Sequence, residues 1–249
     1  MTDKPSVIRE ADDEARGLAR RLLRSARYVA LAVIDPQNGF PSVSRVLVGS
    51  DTDGAAVILV SALSAHTKAL EADQRVSLLA GEPGKGDPLA HPRLTLQCIA
   101  ESVERDGAVH ARLRSRFIAR HPKAKLYIDF PDFRFFRLLP KAASLNGGFG
   151  RAYLLPGEDF VIAANPAGDL AGNELEILQD LVSTKPELAE RMAVDRCGQK
   201  AGKWGFCGVD AAGIDLISGD LLVRYDFGHL IGSKAELYSE LTNTAYPIP

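Results

Sequence analysis

The first 156 residues repeat a pattern of short, partly alternating apolar segments separated by dense turn signals. Runs such as Asp35-Pro36-Gln37-Asn38-Gly39 and Asp51-Thr52-Asp53-Gly54 are rich in residues that form tight turns. Many short strands with few helices between them predict an antiparallel barrel rather than a parallel βαβ sheet. The predicted strands are 28–34, 41–49, 56–60, 75–80, 94–103, 133–139 and 152–155.

The predicted strand 41–49 alternates strictly enough to assign its two faces, because successive side chains of a strand point to opposite sides of the sheet. Ser42, Ser44, Val46 and Val48 are expected on one face, and Val43, Arg45 and Leu47 on the other. Helical periodicity interrupts the strands at 6–25, 63–72 and 109–120. The last of these helices is expected to end at His121-Pro122, because a residue before proline is disfavoured in helical conformation.

A second pattern begins after Pro156-Gly157. Asn165-Pro166 and Gly168 precede a predicted helix that runs to about residue 182, and Thr184, with Glu187 three residues on, predicts the start of another. Three predicted strands and a closing helix follow, at 204–210, 214–217, 221–227 and 233–241. Helices packed on a three-stranded meander form a small α+β domain. The expected organisation is a barrel domain over residues 1–157 and an α+β domain over 158–249.

Composition and charge narrow the class of protein. The 249 residues are 46% apolar, and the 30 basic and 32 acidic side chains leave a formal net charge of −2. A nucleic-acid-binding domain usually carries a basic excess, so that class is not expected. No apolar run approaches the roughly 18 residues of a membrane span, and the polar N-terminus does not resemble a secretory signal. Cys98, Cys197 and Cys207 predict reduced thiols in a cytoplasmic protein.

Most familiar site motifs are missing from the sequence. The histidines show no paired spacing and there is no Cys-x-x-Cys, so no structural zinc site is predicted. The run from Gly81 to Gly86 lacks the Ser or Thr of a phosphate-binding P-loop. Gly147-Gly148-Phe149-Gly150 precedes a strand, so it lacks the helix N-terminus that holds a pyrophosphate in dinucleotide sites.

The remaining candidates are basic and hydroxyl residues at the strands and their ends. Such groups from several strands, together with free helix N–H groups, can bind a phosphate dianion. Each residue alone is more typical of a solvated strand face or a turn, so the sequence leaves both interpretations open. These candidates are Ser44, Arg45, Ser61, His66, Thr67, Lys68, Arg93 and Thr95.

An ordered series of motifs resembles one known family. The series includes Pro41-Ser42-Val43-Ser44-Arg45-Val46, Val60 to Leu70, Asp73-x-Arg75-Val76-Ser77, Gly86-Asp87-Pro88-Leu89, Arg93-Leu94-Thr95-Leu96, His121-Pro122-x-Ala124, Asp129-Phe130-x-Asp132-Phe133, Val209-Asp210-x-x-Gly213-Ile214-Asp215-Leu216 and Val223 to Phe227. This succession resembles the haem-utilisation (HugZ-type) branch of the pyridoxamine 5′-phosphate oxidase-like, FMN-binding split barrels. The similarity covers nearly the whole chain from about Ala15.

The resemblance implies a homodimer with FMN at the subunit interface. By the same resemblance, Ser44, Arg45 and Val46 line the flavin, with Val46 offering main-chain groups. Ser61, His66, Thr67 and Lys68 surround the phosphate, and Arg93 and Thr95 complete it from another strand. Two positions depart from the family pattern: Cys98 replaces a common glycine and Ala69 a common asparagine, which predicts weakened FMN retention.

Three functions remain open. The first is an FMN-dependent oxidoreductase, in which the cofactor carries the redox chemistry. The second is haem binding and degradation for iron acquisition, for which His229, in the turn Phe227-Gly228-His229, is the candidate axial ligand. The third is a flavin-binding or ligand-sensing protein without turnover. The sequence does not identify the substrate or the electron donor.

Overall fold

The computed structural model describes residues 8–148, 150–162 and 168–242, and combines a β-barrel with a smaller α+β unit. The strands of the first part are β1 (Ile8–Arg9), β2 (Tyr28–Ile34), β3 (Pro41–Ser50), β4 (Ala56–Ser61), β5 (Arg75–Ala80), β6 (Arg93–Ser102), β7 (Phe133–Asn146) and β8 (Ala152–Pro156). Its α-helices are α1 (Asp13–Ser25), α2 (Ala65–Ala72) and α3 (Ala108–Arg120). Short 3₁₀ turns lie at Pro88–Ala90, Pro122–Leu126 and Gly157–Phe160.

Strands β2 to β7 close into an antiparallel barrel, which confirms the predicted architecture. The strand order β8-β7-β4-β3-β2-β5-β6 returns on itself because β7 also pairs with β6. The split in this barrel lies along β3, where β4 pairs with residues 48–50 but the stretch 41–47 pairs with β2. That part of β3 therefore has one edge that is not paired with another described strand.

The barrel interior is filled by the inward-facing residues of every strand. Val46 and Val48 are buried in it and Arg45 is exposed, which confirms that they lie on opposite faces of the strand, as the alternation of 41–49 predicts. Helix α1 closes the core with Ala15, Ala19 and Leu23. The two departures from the family pattern, Cys98 and Ala69, both lie in this core, so their side chains pack against apolar neighbours.

Two boundaries of the first part differ from the prediction. Helix α1 starts at Asp13 rather than residue 6, because the Asp12 carboxylate accepts a hydrogen bond from the Ala15 N–H at 2.8 Å and caps the helix there. Strand β7 continues to Asn146 rather than residue 139, and Pro140 is tolerated because a β-bulge interrupts the β6–β7 register beside it.

The C-terminal unit is the predicted α+β meander. Strands β9 (Gly205–Asp210), β10 (Gly213–Ser218) and β11 (Leu221–Asp226) form a three-stranded antiparallel sheet. Helices α4 (Gly168–Thr184), α5 (Leu188–Asp195) and α6 (Lys234–Thr242) enclose a core built around Ile177, Leu181, Trp204 and Ile214. Phe160 still packs in the barrel core, beyond the expected boundary at residue 157. Asn165-Pro166 and Phe149 lie outside the described residues, and the domain division itself stays a prediction.

Candidate functional site

Arg45, Arg93 and Thr95 lie on the outer face of the same sheet. The strand register places Arg45 opposite Ala30, Ala30 opposite Leu79, and Leu79 opposite Thr95. Arg93 precedes Thr95 by two residues and so shares its face. Three strand spacings separate Arg45 from Thr95, about 14 Å. Within one copy of the chain, the two arginines flank a common surface without contacting each other.

A cavity of about 620 Å³ opens on this surface beside Arg45. Its volume is typical of a small-molecule site. We call it the barrel-face cavity; its lining includes Tyr28, Ala30, Arg45, Leu79, Gly81 and Glu82. The Arg45 guanidinium lies over the Tyr28 ring, 4.9 Å from its centroid. A hydrogen bond to Glu82 and the charge of that carboxylate raise the pKa of Tyr28, so its phenol stays protonated.

Ser44 and Val46 occupy the opposite face from Arg45. The Ser44 hydroxyl lies 3.1 Å from His66 Nδ1, which connects β3 to α2. Burial lowers the pKa of His66, so its ring is neutral near pH 7. Val46 pairs with Val29 of β2, and its side chain is in the barrel core. Adjacent residues of one predicted site thus point to different sides of the strand.

The predicted phosphate ligands at the end of β4 are engaged in local hydrogen bonds. The Ser61 hydroxyl donates to Asp132 Oδ2 at 2.6 Å and accepts from the Leu63 N–H at 3.1 Å. The fully buried Thr67 hydroxyl donates to the Ser61 carbonyl at 2.7 Å, whereas Lys68 is exposed. The Asp132 carboxylate places a negative charge beside Ser61, which opposes binding of a phosphate dianion.

The two halves of the predicted set are not assembled in one copy of the chain. Ser61 pairs with Phe133 at the start of β7, whereas Arg93 pairs with Asn146 at its end. Across the described residues, no hydrogen bond or ion pair joins the Ser61 group to Arg93 or Thr95; Arg93 donates to the Leu89 carbonyl at 3.3 Å instead. Their joint role in binding a cofactor stays a prediction.

His229 lies in a different place, at the junction between the barrel and the C-terminal unit. It lines a cavity of about 450 Å³, here called the junction cavity, together with Arg20, Arg24, Phe160, Arg224 and Leu230. The imidazole is half exposed, with Nε2 at 3.7 Å from Glu236 Oε1. Glu236 is itself held by the start of α6, because its other oxygen accepts the Gly232 N–H at 2.7 Å.

Sequence reasoning missed a group of buried charges beside this cavity. Arginines of α1 and α3 insert between carboxylates of the C-terminal unit, and all of these side chains are nearly inaccessible to water. The members are Arg24, Arg116, Arg120, Glu174, Asp210, Asp215 and Arg224. The only sequence signal was three arginines inside otherwise amphipathic helices, which is typical of a solvated face.

The described residues contain no reactive thiol and no cluster of metal-ligating side chains. Burial raises the pKa of Cys98 to about 12 and that of Cys197 to about 11, and it raises the pKa of Cys207 as well. These thiols are free and protonated at neutral pH. Within 8–148, 150–162 and 168–242, no three His, Cys, Asp or Glu side chains are grouped as a metal site, and no helix is long and apolar enough to cross a membrane.

The sequence profile of pyridoxamine 5′-phosphate oxidase matches residues 16–146, more than half of the chain. The chain belongs to the pyridoxamine 5′-phosphate oxidase family. The match spans β2 to β7 and therefore the whole barrel, with both the Arg45 and the Ser61 groups inside it.

Two curated proteins that are similar in sequence to this chain are named as haem oxygenases. The chain is 37% identical to the chloroplastic haem oxygenase HOZ of Arabidopsis thaliana over 120 residues, which is 48% of this chain and 36% of that protein. It is 32% identical to the haem oxygenase HutZ of Vibrio cholerae over 141 residues, or 54% of this chain and 77% of that protein. The alignment thus spans little more than a third of HOZ.

Two solved structures extend the similarity into the C-terminal unit. Atu2129 of Agrobacterium tumefaciens, a protein of unknown function, superposes with a TM-score of 0.82 at 34% identity, covering 93% of this chain and 95% of that one. A haem-binding protein of Mycobacterium smegmatis superposes with a TM-score of 0.55 at 27% identity, covering 96% and 95%. This family member therefore shares both of its parts with known structures.

Proposed function

We propose that this protein binds haem as its substrate in the junction cavity, with His229 as the iron ligand, and takes part in haem degradation. The observation that carries the proposal is the position of His229, whose half-exposed imidazole lines a cavity of about 450 Å³. Relatives named as haem oxygenases and a haem-binding structural neighbour support the ligand class.

The lining of the junction cavity suits the parts of a haem. An imidazole nitrogen is a common iron ligand, and an adjacent carboxylate such as Glu236 orients such a ring. Val161 and Leu230 offer apolar surface to a flat macrocycle, and the exposed Arg20 offers a cation to a carboxylate. Bound haem would supply the oxygen and electron chemistry; the chain's residues hold the iron, cover the macrocycle and pair its carboxylates.

Haemin titration tests this proposal. Binding through His229 should give a sharp Soret band with a 1:1 endpoint, and His229→Ala should abolish the sharp band. His91→Ala is the matched control, because His91 lies in a barrel loop, bonded to the Lys85 carbonyl at 3.0 Å. A wild-type protein with no Soret band, or a His229→Ala variant that keeps it unchanged, would contradict the proposal.

A second candidate is an FMN-dependent oxidoreductase that works as a homodimer. It is favoured by the outer barrel face, where Val43, Leu79 and Leu154 are 66%, 46% and 59% exposed on the same side as Arg45. Exposed apolar surface of this kind marks an interface. A second copy on this face would enclose the barrel-face cavity and bring a second set of Ser61, His66 and Lys68 within reach of Arg93 and Thr95.

Parallel FMN and haemin titrations separate these candidates, and sedimentation with Val43→Glu tests the dimer. A non-catalytic flavin-binding or ligand-sensing protein would bind its ligand without turnover under any donor. The cytoplasmic setting rests on the three free thiols and stays a prediction.

A further inference from the structure

The junction cavity has walls from two parts of the chain. Arg20, Arg24 and Phe160 come from the barrel, whereas Arg224, His229 and Leu230 come from the C-terminal unit. The shape of the cavity therefore depends on how firmly the two parts are docked. Two of its lining residues, Arg24 and Arg224, also belong to the buried charge network described above.

Asp210 is the centre of this network. Its carboxylate lies 3.0 Å from Arg24 Nη1 of the barrel and 2.7 Å from Arg224 Nη2 of its own unit. Arg24 Nη1 also donates to the Ser50 hydroxyl at 2.9 Å. Burial opposes ionisation of Asp210, but the charges of Arg224 and Arg24 outweigh burial and hold its pKa below the ordinary value. Asp210 is thus a buried anion shared by a cation from each part.

Two arginines of α3 continue the network. Arg116 forms an ion pair with Glu174 of α4 and donates to two main-chain carbonyls, Ser50 at 2.9 Å and Val209 at 3.0 Å. Arg120 lies 3.9 Å from Asp215 and donates to the Val48 carbonyl at 3.1 Å. Each guanidinium therefore donates to the barrel backbone and forms an ion pair with a carboxylate of the C-terminal unit.

Separating the two parts would break the ion pairs that cross the junction, which are Arg24–Asp210, Arg116–Glu174 and Arg120–Asp215, whereas Arg224 would keep its carboxylates. The network holds four arginines and four carboxylates when Asp226, which bonds Arg224 at 2.8 Å, is included. While the parts stay docked, replacing one member of such a pair leaves its partner as an uncompensated buried charge, which is strongly destabilising. By contrast, the exposed pair of Arg27 and Asp220 also joins the two parts, and pairs of that kind contribute little.

We propose that the buried network makes the barrel and the C-terminal unit a single cooperative folding unit, with Arg24, Asp210 and Arg224 as positioning residues that set the junction cavity. The docking part of this inference stands on the network alone; only the positioning part rests on the proposed haem function. The C-terminal unit is then a fixed wall of the site rather than a mobile lid.

Two built-in probes test the docking part in the unmodified chain. Trp204 is the only tryptophan and lies in the C-terminal core, and Cys98 lies in the barrel core. Urea unfolding is followed by Trp204 fluorescence and by pulse alkylation of Cys98, read by peptide mass. A single unit requires coincident midpoints and slopes for the two probes. Separate midpoints in the wild-type protein would overturn the inference.

The variant Asp210→Asn tests the role of the central carboxylate. The control is Asp220→Asn, which removes the carboxylate of the exposed pair that Asp220 forms with Arg27 between the two parts. Asp210→Asn should lower both midpoints together and weaken haemin binding on the order of tenfold or more, whereas Asp220→Asn should leave both unchanged. If Asp210→Asn does not fold, Arg24→Lys takes its place, because lysine keeps the positive charge and lacks the planar guanidinium. This variant should also lower both midpoints and weaken haemin binding.

The outcomes separate this inference from the function. Wild-type protein that shows no haemin binding contradicts the proposed function, while coincident midpoints still support docking. An Asp210→Asn or Arg24→Lys variant that binds haemin as tightly as the wild type overturns the positioning role. A variant that lowers only the Trp204 midpoint overturns the single folding unit.

Discussion

On the side of the barrel covered by the C-terminal unit, Arg24, Arg116 and Arg120 are buried and bonded to carboxylates and main-chain carbonyls. On the outer barrel face around Arg45, that arginine is exposed and stacks on Tyr28 among exposed apolar side chains. The first set of cations is bonded to other groups of the chain, so it serves the fold. The Arg45 guanidinium makes no hydrogen bond or ion pair with another described residue, so its donors are available to a ligand or to another copy.

The difference teaches how to read arginines in this family member. A guanidinium carries five N–H donors, and burial demands that they be paired. Where the pairing is complete, the residue is part of the architecture. Where the pairing is incomplete and the surroundings are apolar, the surface resembles an interface that a partner covers.

Removing a cation of the buried network should have the largest effect on stability. Arg116→Ala leaves Glu174 buried without its cation, so we expect the free energy of unfolding to fall by about 3–5 kcal/mol. Urea unfolding monitored by Trp204 fluorescence measures it. Arg27→Ala, which removes an exposed inter-unit pair, should cost less than about 1 kcal/mol. Equal losses in the two variants would contradict the contrast between buried and exposed pairs.

Acid should lower the free energy of unfolding, because it protonates the buried His121 next to Arg120. Burial lowers the pKa of this ring to about 4, and the charges of Arg120 and Arg27 add to the effect. The folded state therefore binds fewer protons than the unfolded chain, whose histidine pKa is 6.5. Stability from neutral His121 is complete above pH 6.5 and is lost as the pH falls to about 4, by about 3 kcal/mol. The free energy of unfolding, measured by urea unfolding at several pH values in this range, should depend less steeply on pH in His121→Gln than in the wild type. An unchanged pH dependence in this variant would exclude His121 as the cause.

The outer face is tested by its exposed cations. If FMN phosphate or flavin contacts Arg45 or Arg93, each alanine substitution should weaken FMN binding by about 1.5–3 kcal/mol. Fluorescence quenching of FMN during titration gives the dissociation constants. Arg134→Ala, an exposed arginine paired with Glu71, is the control. Unchanged affinity in both test variants would remove this face as a flavin site.

The smallest expected effect concerns a close backbone approach beside the network. A Cβ at Gly213 would lie 2.5 Å from the Tyr225 carbonyl and 2.8 Å from Arg224 Nη2. Gly213→Ala must therefore displace β11 and should cost about 1–3 kcal/mol. Gly205→Ala is the control, because no described residue other than its chain neighbours has an atom within 4 Å of its Cβ position. Thermal unfolding compares the two, and equal melting temperatures would show that β11 yields freely.

Local patterns were sufficient for most elements of the fold. The period of two in 41–49 predicts that Val46 and Val48 lie on the face opposite Arg45, and the structure buries the first face and exposes Arg45. Pro122 marked the end of α3 for a steric reason confined to two residues. By contrast, the pattern predicts that β7 ends at residue 139, before Pro140, whereas the strand continues to Asn146. The bulge that accommodates the proline depends on the partner strand β6, which local sequence does not reveal.

The sequence by itself determined the barrel, the α+β unit and the membership of the chain in its family, because periodicity and turn chemistry act between neighbouring residues. Only the tertiary structure decided which side chains meet. It placed Asp132 beside Ser61 and His66 beside Ser44, and it brought Arg24 to Asp210 of the C-terminal unit. Such contacts join residues that are far apart in the chain, and a charge there is stable only when its partner arrives from elsewhere in the fold.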